Sequence, residues 1–91
     1  MHNMKLKRKF VCECNFTKDE WQLFDVPKSD FACKTLNNAL QQSIMAHSDS
    51  DEVLREMQGV MSMFADCGAM DSEPYEHLNS VLRYVYGSYD V

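Results

Sequence analysis

Seven side chains in this 91-residue chain are typical metal ligands or nucleophiles: His2, His47, His77, Cys12, Cys14, Cys33 and Cys67. Zinc needs four ligands converging at about 2.0–2.3 Å, and structural sites are usually announced by two paired cysteine knuckles. Cys12 and Cys14 form one short pair with no second pair to match. A zinc-stabilised interaction module is therefore an alternative reading, and no metal ligand or cofactor is assigned. A nucleophilic thiol needs a lowered pKa, as at a helix N-terminus or beside a histidine. Cys33, near the start of a predicted helix, fits best, but no base or oxyanion hole gathers around it in the sequence. The carboxylates read as caps and solvated helix faces, not as a poised acid and base. The chain contains no phosphate loop, nucleophile elbow or H-E-x-x-H pattern. The expectation is a non-enzyme whose thiols are reduced and packed as small apolar groups.

Charge gives a more positive signal. The net charge of −5 conceals an asymmetry: residues 1–9 carry Lys5, Lys7, Arg8 and Lys9 and no acid, which leaves residues 10–91 at −9. Residues 48–91 hold nine acids against Arg55 and Arg83. Such a field repels nucleic acid over most of the surface and favours a basic protein partner. The last helix also has more tyrosine than one buried stripe absorbs, and tyrosine suits interfaces because a large apolar ring ends in a polar tip. The function expected is a small acidic cytosolic adaptor or inhibitor of a basic protein, including the immunity, antitoxin or antirestriction type that blocks nucleic-acid-acting enzymes. Its partner-binding residues would be Glu52, Glu56, Met63, Glu73, Glu76, His77, Tyr84 and Tyr86. The alternative is a nucleic-acid-binding regulator that places the basic strand of Lys5, Lys7, Arg8 and Lys9 in a groove as a homodimer. No stretch approaches the roughly 20 apolar residues that cross a bilayer, so no membrane association is expected.

The elements that must position these residues are marked by periodicity. Around the central stretch, Ser50 to Cys67, the residues Val53, Leu54, Met57, Val60, Met61 and Phe64 recur at helical spacing, with Ser50 as expected N-cap and Gly68 as stop. Before it, Ser29 and Asp30 open a helix to about His47 with Ala32, Leu36, Ala39, Leu40, Ile44 and His47 making its stripe, and Asn37, Asn38, Gln41 and Gln42 on its wetter side. The two should form an antiparallel hairpin. A third long helix begins near Asp71 or Ser72, buries Tyr75, Leu78, Leu82 and Val85, and is expected to stop at Gly87.

The N-terminal third is less decided. From Lys5 to Phe16 the residues alternate, with Phe10, Cys12, Cys14 and Phe16 on one side, which predicts a strand. Thr17 and Glu20 have capping-box spacing, yet Trp21 to Val26 also fits a second strand. A lone strand leaves backbone groups unsatisfied, which favours the hairpin. The stretch Phe16 to Trp21, FTKDEW, resembles the phenylalanine-to-tryptophan segment near the start of the Krüppel-associated box, a short repressor-recruiting module of zinc-finger proteins. The tyrosine and methionine pattern expected further along that box is missing after Val26, and six residues assign no family. The fold expected is α+β: a short N-terminal antiparallel strand pair, open to completion by a dimer partner, packed on three α-helices in a single domain of residues 1–91, with residues 1–4 a flexible N-terminus.

Overall fold

A computed structural model of the chain describes residues 15–65 and 72–89, with the side chains of the last helix described over 76–87. It contains four helices among the described residues: α1 Lys18–Gln22, α2 Asp30–Ala46, α3 Ser50–Phe64 and α4 Ser72–Tyr89. None of the described residues is in a strand. The described part is therefore all-helical, and the α+β expectation is corrected.

The correction has a local cause. Thr17 and Glu20 complete a reciprocal cap, with Thr17 Oγ1 accepting from Glu20 N at 3.2 Å and Glu20 Oε1 accepting from Thr17 N at 2.9 Å. That cap starts α1 where the second strand was expected. Leu23 to Asp25 then turn tightly, with Asp25 at φ 65°, a left-handed conformation that Asp tolerates better than most side chains. Phe16 obtains its backbone partners without a strand. Its N–H donates to Asn37 Oδ1 and its carbonyl accepts from Asn37 Nδ2, both at 2.9 Å. The strand expected from Lys5 to Phe16 otherwise lies outside the described residues, as do Cys12 and Cys14.

The long helices follow their apolar stripes. Ser29 caps α2, its hydroxyl accepting from Ala32 N at 3.1 Å. Asp49, one residue before the expected Ser50, caps α3 through Asp51 N. α3 ends at Phe64, short of Cys67, and α4 continues through Gly87 to Tyr89. Leu36, Leu40 and Ile44 of α2, Val53, Met57 and Met61 of α3, and Leu78, Leu82 and Val85 of α4 form one core. Each such side chain contributes roughly 1.5–3 kcal/mol on burial.

Contacts at the two ends of α4 give the topology. Near its C-terminus, Tyr86 reaches the last residues of α2. Near its N-terminus, His77 meets Glu20 and Phe16, which sit against the first half of α2. α4 therefore runs the same way as α2 and opposite to α3. Residues 15–26 form a strap across α2 and α4, with Phe16, Trp21, Phe24 and Val26 buried in the shared core. Lys18–Asp30 and Lys28–Asp19 pairs tie α1 to the start of α2, but both are exposed and add little.

Candidate functional site

The residues expected to bind a partner fall into three places. The first is the corner between α2 and α3. α2 ends as His47 turns to extended backbone, and Glu52 and Glu56, four residues apart, face it from consecutive turns of α3. His47 Nδ1 lies 2.9 Å from Glu52 and Nε2 lies 2.7 Å from Glu56. The Glu56 bond raises the His47 pKa above the usual imidazole value against the opposing effect of burial, and His47 in turn holds Glu56 below the usual carboxylate range. Tyr86 comes to the same corner from α4. Its hydroxyl donates to the His47 carbonyl at 2.7 Å and lies 3.4 Å from the Ile44 carbonyl, which satisfies carbonyls that the end of α2 leaves open. Burial pushes this phenol up to about 12.

The second place is the outer face of α4, turned away from Leu78, Leu82 and Val85. Glu76, Ser80, Arg83 and Tyr84 are exposed there, Tyr84 at 60%. His77 is also exposed but bridges to α1, with Nε2 3.0 Å from Glu20 and its ring edge-on to Phe16 at 5.3 Å. Glu73 is in the first turn of α4, outside the described side chains. The third place is the C-terminal end of α3, where Met63 is 82% exposed beside Phe64, whose ring lies 6.4 Å from the exposed Phe31. Glu52, Glu56 and Tyr86 are thus brought together, whereas Glu76, His77 and Met63 lie elsewhere. Comparison of the chain with protein-family models, curated proteins and solved structures finds no match.

Asn37 is the residue that periodicity missed. Its Oδ1 accepts from Phe16 N and from Trp21 Nε1 at 3.1 Å, while Nδ2 donates to Phe16 O. Cys33, the thiol singled out for its helix position, is half-buried and donates to the same Phe16 carbonyl at 3.4 Å. Gln41 extends the seam by donating to Asn15 Oδ1 at 2.7 Å. Among the described residues no three His, Cys, Asp or Glu side chains converge as metal ligands, and no helix is long and apolar enough to cross a membrane. Cys67, His2 and the alternative nucleic-acid-binding residues Lys5, Lys7, Arg8 and Lys9 lie outside the described residues.

Proposed function

We propose that this protein is a small acidic adaptor or inhibitor that engages a basic protein partner through the outer face of α4. The observation carrying this reading is Tyr84, a large ring 60% exposed on a helix whose opposite side is fully buried. Tyr84 is the anchor, with Glu76 on the same face, and the −9 charge of residues 10–91 steers a basic partner toward the protein. A protein that grips nucleic acid has the surface such a field matches, because phosphate binding requires exposed lysine and arginine. Glu52 and Glu56 are less suited to direct docking, since both pair with His47.

The test compares wild type with Tyr84→Ala and Glu76→Lys, both at exposed positions of α4. A basic protein retained from the native cell extract by wild type should bind Tyr84→Ala about 30-fold or more weakly, with melting unchanged. Glu76→Lys should slow association at low salt and lose that effect as salt rises. Equal affinity and equal association rates for all three proteins would overturn the reading.

A further inference from the structure

Three helices meet at His47, and the contacts there depend on one proton. The ring is engaged at both nitrogens by carboxylates, Glu52 at 2.9 Å and Glu56 at 2.7 Å. A neutral imidazole has a single N–H, so it can donate to only one of these oxygens and must turn a lone pair toward the other. Both contacts are favourable together when the ring is an imidazolium, which has an N–H for each carboxylate. The carbonyl of the same residue accepts the Tyr86 hydroxyl at 2.7 Å. The ring is thus joined to α3 and the backbone to α4.

We propose that His47 is a proton-operated latch: its imidazolium fastens the end of α2 to α3, its carbonyl fastens the C-terminal part of α4, and loss of the ring proton loosens both together. The proton leaves to solvent, to which the side chain is 28% exposed. What remains is a neutral ring able to hold one glutamate, a lone pair facing the second, and two carboxylates four residues apart on one helix that repel each other. With its ring no longer tied to α3, the backbone of His47 at the end of α2 loses that restraint, and the carbonyl it presents to the Tyr86 hydroxyl is held less firmly.

Among the described residues the titratable groups acting on the ring are Glu52 and Glu56 from α3, while the Tyr86 phenol from α4 meets the His47 carbonyl and is itself faced by Asp49 and Glu52. The acids favour the imidazolium. Tyr86 remains a protonated donor throughout the range in which His47 titrates. Because His47 is raised in the folded state, its contribution is complete below the ordinary imidazole value and is lost as pH rises through the raised one. The latch is closed on the acid side and opens toward the alkaline side. It stands on the geometry of this corner and does not depend on what docks at Tyr84.

The test is a pH titration of the full chain by NMR, following the His47 Cε1–H signal and the amide-exchange protection of Val85 and Tyr86, corrected for intrinsic exchange. The expected result is a His47 midpoint above the ordinary imidazole value, with a several-fold loss of α4 protection at that same midpoint. In Glu52→Gln/Glu56→Gln the midpoint should fall toward the ordinary value and the step in protection should follow it. A His47 midpoint at or below the ordinary value, or α4 protection with no inflection at the His47 midpoint, would overturn the latch. The wild-type titration decides this even if the double variant does not fold.

Discussion

Asn37 acts toward Phe16 as a neighbouring strand would, but from the side of a helix. One amide meets both backbone groups of Phe16 and also the Trp21 indole, so its removal strands two donors in a partly buried seam and leaves the Phe16 carbonyl only the weak Cys33 thiol. Each stranded group costs about 1–3 kcal/mol less whatever water restores. Asn37→Ala should therefore lower the unfolding free energy by about 2–3 kcal/mol in urea denaturation. Asn37→Asp should fall between it and wild type, because the acceptor oxygen survives and the donor does not. A loss in Asn37→Ala no larger than that of an exposed helical Asn would show that the clamp is dispensable. Nothing beside Asn37 in the chain announces this role, since its partners lie 16 and 21 residues away and helical periodicity places it toward water. The same limit hides the Tyr86 bonds, whose acceptors lie 39 and 42 residues distant. Tyr84 is different: its spacing from Leu78 and Leu82 sets it off the buried stripe, and its ring is exposed.

For the helices, local pattern went further. The stripes of α2, α3 and α4 are written at 3.6-residue spacing, and their residues Leu36, Leu40, Ile44, Val53, Met57, Met61, Leu78, Leu82 and Val85 are buried, with Ala39, Val60 and Phe64 partly so. Glycine was the poorer guide, because it permits a helix to end without requiring it. Gly87 lies inside α4, and Gly59 lies in the middle of α3 with nothing within 4 Å of where a Cβ would stand. No close approach within the described chain explains Gly59. Gly59→Ala should stabilise the protein by about 1 kcal/mol, the helix-propensity difference, seen as a higher urea midpoint at unchanged slope. An unchanged or lower midpoint would mean that Gly59 serves a contact this fold does not contain. α1 remained ambiguous for a physical reason. The buried residues in and after it, Trp21, Phe24 and Val26, are spaced by three and then two, which matches neither helix nor strand, because the chain leaves the helix at Leu23 and turns through Asp25. Only the capping pair distinguished the two readings.

Across the whole molecule, the strap of residues 15–26 decides whether the protein unfolds in one step. A five-residue helix has no stability of its own in water. Phe16, Trp21, Phe24 and Val26 nevertheless belong to the same core as the long helices, and at roughly 1.5–3 kcal/mol each their burial is comparable with the entire stability of a small domain, about 5–15 kcal/mol. Detaching the strap would also break the Asn37 clamp and the His77–Glu20 bridge, which hold it to α2 and α4 respectively. It cannot leave while the bundle remains at full stability. Trp21 is the chain's one tryptophan, 1% exposed and 5.0 Å from the Phe16 ring, so its fluorescence reports the strap. Circular dichroism in the far ultraviolet reports mainly the long helices. In a urea titration the two signals should share one midpoint and one slope, the mark of a single cooperative transition. A tryptophan transition at clearly lower urea would show that the strap parts from a surviving three-helix bundle, and the apolar groove it covers would then be open in a populated state.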